Sequence, residues 1–434
     1  MINTYEDALA FIHGRGKFKK IPTLKRMQRF MDLLEDPQTK IRPIHVAGTN
    51  GKGSTVAFLR SLFEQQNLTV GTFTSPFLIK FNERISVNGI PITDNEVTEL
   101  ARKVKPIVDQ LDQELPEGGP TEFEIVTAMM FIYFASHPVD VVIVEVGIGG
   151  LYDSTNVLTP ALSIITTIGY DHMQILGNTL TEIATQKAGI IKPGVPVVVG
   201  NIGTEAAAAI LKVAEQNGAP VSQLGREFNY RNLVETQSSE QFDFINEQTN
   251  ISQITTQLIG NYQVDNAVTA IQAFELYQRQ QQKPFTVEMV KKGIQVATWP
   301  GRFEVIQQKP MVIIDGAHNI PAIEALVSTL KTQFTKEPIS ILVAVLADKQ
   351  AEKMMSRLLM IENVELYLTT FNAPKNRQVS SITKLAQSLN SRRVHVVENW
   401  QTGLAELIKN QPDKVILVTG SLYFISDVRR WLVK

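Results

Sequence analysis

The chain reads as an α/β protein: a mostly parallel-sheet domain carrying a phosphate loop, followed by a smaller Rossmann-like α/β domain. Three observations predict this. Val/Ile-rich runs recur between helical stretches, and they are continuous rather than alternating, as strands covered on both faces require. The first run leads into a glycine-rich turn that opens a helical pattern. A strong break at Thr298-Trp299-Pro300-Gly301-Arg302 separates two such series, which sets expected domains of 1–298 and 299–434.

Taken in order, Ile44–Ala47, Val70–Thr74, Val139–Val146, Leu162–Ile168 and Val195–Val199 read as buried strands of the first domain. The segment from about Asn229 to Gln257 is rich in Gln, Ser, Thr and Asn and reads as short strands or loops. Gly260-Asn261-Tyr262-Gln263-Val264-Asp265-Asn266-Ala267 then opens a helix. Beyond the break, Met311–Ile314, Ile339–Leu346, Val364–Thr370, Val394–Val397 and Val415–Val418 supply a second series. Helical stretches between them predict a second α/β layer structure. A chain of 434 residues is too long for one comfortable core, which agrees with two domains.

Composition excludes several classes. Lys+Arg is 42 and Asp+Glu is 43, giving a formal charge of −1 rather than the basic excess of a nucleic-acid binder. The absence of cysteine rules out disulfides and thiolate metal sites, and fits a reducing compartment. The first residues show no charged-then-apolar leader pattern, and the longest apolar run, Ala128 to Ala135, is too short to span a bilayer. A soluble, cytoplasmic protein with no nucleic-acid or membrane partner is expected.

The chemistry starts at Gly48-Thr49-Asn50-Gly51-Lys52-Gly53-Ser54. Glycines let backbone N–H groups turn toward an anion, and the following helix adds its positive end. Lys52 can reach terminal phosphates, and Ser54 or Thr55 can face Mg²⁺. The strict eight-residue spacing fails, because Val46 stands five before Gly51 and Gly53 separates Lys52 from Ser54. This is therefore a variant phosphate loop, with an ordinary glycine turn as the alternative.

Other residues point to the same edge of the sheet. Glu145 ends a hydrophobic strand before a glycine turn, where an unpaired carboxylate is costly; a metal or a nearby Lys or Arg would give it a partner. His172, in Gly169-Tyr170-Asp171-His172, can supply an imidazole or be a structural histidine. Ser75, in Thr74-Ser75-Pro76, can offer a hydroxyl to a cation or satisfy a turn. Lys187 lies on a helical pattern, as a phosphate ligand, a CO₂-modified carboxylate or a solvated lysine. In the second series, Asp315-Gly316-Ala317-His318-Asn319 follows a strand and looks like a site, or a cap at Asn319. Arg302 can reach a phosphate or make a surface ion pair, and Thr419-Gly420-Ser421 can bind an anion or simply connect.

The ordered set of these motifs resembles the folylpolyglutamate synthase family, with its close relative dihydrofolate synthase, in the Mur-ligase superfamily of ATP-dependent amide-forming ligases. It also includes Phe81-Asn82-Glu83-Arg84-Ile85, Asp153-Ser154-Thr155-Asn156, Lys187-Ala188-Gly189-Ile190, Trp299 to Arg302 and Thr419 to Tyr423, so it covers nearly the whole chain. The resemblance implies that Thr49, Asn50, Gly51, Lys52, Gly53 and Ser54 bind ATP phosphates. It implies that Ser75, Glu145 and His172 hold Mg²⁺, and that a carbamylated Lys187 supports a second Mg²⁺. Asn266, Arg302 and Asp315 are implied as nucleotide contacts, and Arg84, His318 and Ser421 as the glutamate side. The implied substrates are a reduced folate and L-glutamate, and a monomer is expected. Many relatives carry His where this chain has Phe77, and Arg where it has Leu151, departures that count against dihydrofolate synthase activity but not against the ligase chemistry; a bifunctional enzyme that also acts on dihydropteroate is the alternative. A peptidoglycan-precursor ligase fits the Phe81–Ile85 and Trp299–Phe303 motifs less well, and a nucleotide-switched binding protein leaves the His318 cluster unexplained.

Overall fold

The structure is a computed structural model that describes residues 1–16, 22–236, 238–373 and 377–433. Two compact units divide it. The first comprises Met1–Arg231, Phe244–Ile254 and Asp265–Val296; the second comprises Asn232–Asp243, Thr255–Val264 and Ala297–Lys434. Two short segments from within 1–298 therefore pack with the second unit rather than the first. Among the described residues no helix is long and apolar enough to cross a membrane.

The first unit is built on eight strands: β1 (Ile44–Ala47), β2 (Val70–Phe73), β3 (Ile85–Val87), β4 (Ile90–Pro91), β5 (Val141–Glu145), β6 (Leu162–Ile165), β7 (Val197–Val199) and β8 (Val221–Gln223). Their spatial order is β4-β3-β2-β5-β1-β6-β7-β8. All pairs are parallel except β2–β3 and β3–β4. Every residue of β1, β2, β5 and β6 is buried, which is why the sequence shows unbroken apolar runs there. The run expected to extend to Ile168 ends as a strand at Ile165, because Thr166 and Thr167 turn their hydroxyls onto the phosphate loop. The chain passes from β1 across β5 to β2 on one side, and later from β5 across β1 to β6 on the other, so the strand order reverses beside β1 and ligands are expected outside its carboxyl end. The Lys52–Glu64 helix that starts there is anchored by Val56, Phe58, Leu59, Leu62 and Phe63, all buried, with the Phe63 ring set edge-on to Phe274 at 5.0 Å. Burial of side chains of this size stabilises by roughly 1.5–3 kcal/mol each, which fixes the loop at the helix start.

Strands β9 (Phe228–Glu235), β10 (Glu240–Asn246) and β11 (Asn250–Thr256) form a three-stranded sheet in the order β11-β10-β9. The second unit holds six further strands: β12 (Glu304–Gln308), β13 (Met311–Ile314), β14 (Ile339–Val343), β15 (Val364–Thr369), β16 (Val394–Val397) and β17 (Val415–Thr419). Their order is β12-β13-β17-β14-β15-β16, parallel except for β12 against β13. Its core runs through Ile313, Ile341, Leu366 and Leu417 of the sheet and Ile323, Leu326 and Leu330 of the Ile320–Gln333 helix.

Glu240 is a costly feature of this unit. It is fully buried on β10, and its Oε1 accepts from Gly260 N at 2.7 Å and from Gln333 Nε2 at 2.7 Å. Its Oε2 has no hydrogen-bond partner among the described residues. Burial, with Glu235 adding to it, pushes its pKa up to about 7. The folded chain therefore keeps this proton where an unfolded chain, near 4.5, has lost it. Stability contributed by the protonated form is complete below pH 4.5 and falls as pH rises toward 7. Glu240→Gln should remove that slope and raise the unfolding free energy at pH 8 by on the order of 2–3 kcal/mol relative to its effect at pH 4.5. Urea titrations of both proteins at the two pH values check this; equal effects at both would show that burial does not raise the Glu240 pKa.

Candidate active site

The phosphate loop is shaped by two glycines and a clasp of hydroxyls. Gly51 caps the Lys52–Glu64 helix with φ 84°, a conformation that disfavours any side chain, and a Cβ there would collide with Asn266 Oδ1. A Cβ at Gly48 would collide with Thr166 Oγ1. On the far side of the loop, Thr166 and Thr167 donate their hydroxyls to Asn50 O at 2.6 and 3.0 Å, and Asn50 N donates back to Thr167 Oγ1 at 3.0 Å. Thr49 Oγ1 donates to Gly169 O at 3.1 Å and accepts from Gly169 N at 3.0 Å. The Asn50 carbonyl is thus held by two hydroxyls. The first turn of the helix has no side-chain cap, so the positive end of that helix lies beside the loop. Ser54 and Thr55 are buried there, and Thr55 Oγ1 has no hydrogen-bond partner among the described residues.

Two lysines converge on one carbonyl. Lys52 Nζ lies 3.1 Å from Gly48 O, and Lys187 Nζ donates to the same oxygen at 2.9 Å. Lys52 also stands 3.9 Å from Glu145 Oε1, while Glu145 Oε2 accepts from Ser75 N at 3.0 Å. The structure therefore brings Ser75, Glu145, Lys52 and Lys187 to the carboxyl ends of β1, β2 and β5. Lys187 is not the solvated surface residue that composition alone favours: it is 4% exposed, on the Leu180–Ala188 helix. Burial first, and then the charge of Lys52, pull its pKa down to about 7, against weaker support from Asp171 and Asp153. Asp153 itself is buried and braces the glycine turn after β5, accepting from Ile148 N at 2.9 Å and from Thr155 N at 3.0 Å.

His172 caps the Met173–Leu176 helix with φ 50°; its Nε2 lies 4.0 Å from Asp171 Oδ2 and its side chain is about one-third exposed. Among the described residues no group of three or more His, Cys, Asp or Glu could hold a metal ion. The expected donors Ser75, Glu145 and His172 are one hydroxyl, one carboxylate and one imidazole, a set that leaves most Mg²⁺ positions to water and phosphate oxygens. Arg84 stacks over Phe77 at 5.3 Å and Phe81 at 5.7 Å, 3.9 Å from Glu122 Oε1, within the first unit.

In the second unit, Asp315 ends β13 and is buried, accepting from Phe303 N and Ala317 N at 2.9 Å each. Burial raises its pKa, and the Arg302 guanidinium opposes the rise. Arg302 lies over Gly316, where a Cβ would meet its Nη1 at 2.5 Å. His318 Nδ1 is 2.8 Å from Gly316 O, so donation to that carbonyl sets the ring's tautomer. Ser421 is buried at the start of the Leu422–Leu432 helix, and its side chain makes no cap hydrogen bond. Gly420 N donates to Ala317 O at 3.1 Å, which ties the Ser421 turn to the Asp315–Asn319 turn. Arg302, Asp315, His318 and Ser421 thus share the carboxyl ends of the adjacent strands β13 and β17.

Sequence reasoning names Thr49 but does not single out Thr166, Thr167 or Asp153 as site residues. Two threonines closing a Val/Ile run are the available signal for the clasp.

A family model described as the Mur ligase middle domain matches residues 46–274. A second, described as the Mur ligase glutamate ligase domain, matches residues 301–422. The chain is 44% identical over all of its length to a dihydrofolate synthase/folylpolyglutamate synthase of Bacillus subtilis, of which it covers 100%. It is 36% identical to a folylpolyglutamate synthase of Lacticaseibacillus casei, over 99% of each chain. Among solved structures, an FPGS–AMPPCP–folate complex superposes with TM-score 0.88 at 35% identity, over 100% of both chains. A Mycobacterium tuberculosis folylpolyglutamate synthase complexed with ADP and AMPPCP superposes with TM-score 0.89 at 29% identity, over 99% of this chain and 98% of that one. With the phosphate loop, the paired lysines and the Asp315–His318 turn in place, the chain belongs to the folylpolyglutamate/dihydrofolate synthase family of Mur ligases.

Proposed function

We propose that the protein is an ATP-dependent ligase that joins L-glutamate to the side-chain carboxylate of a reduced folate's glutamate, releasing ADP and phosphate. The observation that carries this is the convergence of Lys52, Lys187 and Glu145 on a clasped phosphate loop, in a chain that matches ligases of this family end to end. In this reading residues 1–298 bind ATP and residues 299–434 act on glutamate, with the protein working as a cytoplasmic monomer.

A carboxylate is a poor electrophile because its leaving group would be oxide. ATP converts it to an acyl phosphate; the glutamate amine then attacks the carbonyl, phosphate leaves and an amide remains. This asks for charge neutralisation and positioning rather than a side-chain nucleophile. The loop N–H groups and Lys52 neutralise the transferring phosphoryl group. Asn266, Arg302 and Asp315 contact the nucleotide, and Arg84, His318 and Ser421 receive glutamate. Mg²⁺ would be held by Ser75, Glu145 and His172, and by a carbamylated Lys187 at a second position; bound there, it neutralises phosphate oxygens. The buried Thr55 hydroxyl without a hydrogen-bond partner among the described residues, and the low-pKa Lys187 amine, fit such groups.

The name of the Bacillus subtilis relative includes dihydrofolate synthase as well, so dihydropteroate is the second substrate to test. ADP release with tetrahydrofolate should require glutamate and Mg²⁺, and product mass should rise by one glutamyl residue per turnover. Products that never gain a glutamyl residue with any folate or pteroate would overturn the assignment.

A further inference from the structure

A chain of buried polar side chains in the first unit runs from β1 to the helix that carries Lys187. It starts at His45, which lies on β1 between Ile44 and Val46 and is fully buried. The Thr155 hydroxyl, also buried, donates to Asp153 Oδ1 at 2.6 Å. That hydroxyl has one proton, so its oxygen accepts from His45 Nε2 at 2.8 Å. His45 is therefore the Nε2–H tautomer, and its Nδ1 has no hydrogen-bond partner among the described residues. Burial, and then the charge of Lys192, pull its pKa down to about 3, so the ring is neutral and donates one proton. A leucine at this position would fill the core without the penalty of burying an imidazole, but could not hold Thr155.

The chain ends on the lysine's helix. Asp153 Oδ2 accepts from Ile148 N, inside the Gly147–Gly150 turn, at 2.9 Å. Gly150 lies so close to the Leu180–Ala188 helix that a Cβ would meet Gln186 O and Lys187 O at 2.7 Å each. Leu151 N donates to Gln186 O at 2.7 Å. Asn156 Nδ2 donates to Leu151 O and to Gly189 O, at 3.0 Å each. Thr155 and Asp153 thus brace the turn, and the turn braces the backbone that carries Lys187.

We infer that His45 and Thr155 are positioning residues of the ligase site: acting through Asp153 and the glycine turn, they set where the Lys187 amine meets the phosphate loop at Gly48 O. The inference rests on the ligase reading above. His45 aims the Thr155 hydroxyl, because its N–H leaves that hydroxyl no acceptor role other than toward the ring and sends its proton to Asp153. Asp153 then holds the Ile148 amide, and the turn is pressed against the lysine's helix at Gly150. Because His45, Thr155 and Asp153 are buried, a donor removed from this chain leaves its partner unsatisfied, and the turn must shift to compensate.

The test is Thr155→Val, which keeps the branched shape and removes the hydroxyl. Its kcat for glutamate-dependent ADP release should fall about tenfold, a usual penalty for displacing a group at a reacting centre. Its KM for ATP should stay within about twofold of the wild type. The phosphate loop is held by the Thr49, Thr166 and Thr167 hydroxyls, without Thr155. Thr155→Ser restores the hydroxyl and should return the wild-type kcat. The deciding readout is a cycle with Lys187→Ala. If Thr155 acts through Lys187, adding Thr155→Val to Lys187→Ala should lower the remaining turnover by less than about twofold. A general loosening of the core would lower it by the same factor in both backgrounds, and that result would overturn the proposal. Wild-type kcat in Thr155→Val would overturn it too. Should Thr155→Val fail to fold, His45→Leu carries the same cycle: a loss of about threefold that vanishes in Lys187→Ala is expected, and no loss, or an equal loss in both backgrounds, overturns the proposal. Failure of the ligase reading is separate, since the wild type would then release no ADP in response to glutamate.

Discussion

Lys52→Ala should lower the rate of glutamate-dependent ADP release by on the order of 100-fold or more, the usual cost of deleting one preorganised charge at a transferring group. The Lys52 ammonium lies 3.1 Å from Gly48 O and 3.9 Å from Glu145 Oε1, so its reach is confined to the mouth of the loop. Besides these contacts, the loop is held by other groups. Gly51 sets the turn, the Thr166 and Thr167 hydroxyls hold Asn50, and the helix is anchored by Phe58 and Phe63. The variant should therefore fold and retain the unfolding transition of the wild type while losing turnover. Lys52→Arg, which keeps the charge on a bulkier, planar group, should recover only part of the rate. Near-wild-type turnover in Lys52→Ala would take the phosphate loop out of the mechanism. The same substitution should let the Lys187 pKa rise, because Lys52 is the second cause, after burial, that depresses it.

Much of this site is legible in the amino-acid sequence, for a physical reason. A strand buried on both faces must be uniformly apolar, so β1, β5, β6 and β17 announce themselves, and polar residues at their carboxyl ends stand out against that background. Glu145, Asp315 and the glycine loop are visible in this way. Short or edge strands are not: Ile85–Val87 and Ile90–Pro91 are too brief and too exposed at Ile90 to leave a periodic signal. The membership of Asn232–Asp243 and Thr255–Val264 in the second unit is equally hidden, since local propensity carries no information about which distant core a short strand joins. The burial of Lys187 is the feature least expected from sequence. Its helix, LTEIATQKA, looks amphipathic with the lysine near its end, where a cation suits the dipole. Only the tertiary approach of Gly48 and Gly150 to that helix makes it a buried amine. The clasp of threonines escapes notice because Thr166 and Thr167 read as the polar end of a strand, and their function depends on the loop they face.

Lys187→Ala should abolish most activity, and a short-chain carboxylate such as acetate or propionate should restore part of it. The reason begins with the amine. An ordinary lysine, with its pKa near 10.5, is neutral at pH 7 in only on the order of one molecule in a thousand. Burial and the Lys52 charge pull the Lys187 pKa down to about 7, so its neutral form is far more populated than that of an ordinary lysine. Carbamylation proceeds by attack of the neutral amine on CO₂, with loss of one proton from nitrogen, and turns a cation into an anion. A buried site penalises the ammonium by desolvation, and Lys52 beside it would stabilise the carbamate that replaces it. Truncating the Lys187 side chain would leave room beside Gly48 O for an added carboxylate to face the same cations. An unmodified ammonium that only donates to Gly48 O predicts the opposite: alkylamines, not carboxylates, would rescue. The wild type adds a second arm. If carbamylation is required, thorough removal of CO₂ should reduce turnover reversibly below pH 7, where the amine is increasingly protonated, and bicarbonate should restore it; Lys187→Ala rescued by acetate should be indifferent to both. Rescue by amines alone, or a mass for the active protein that never includes CO₂ under bicarbonate, would establish Lys187 as a plain cation and remove the second metal position from the mechanism.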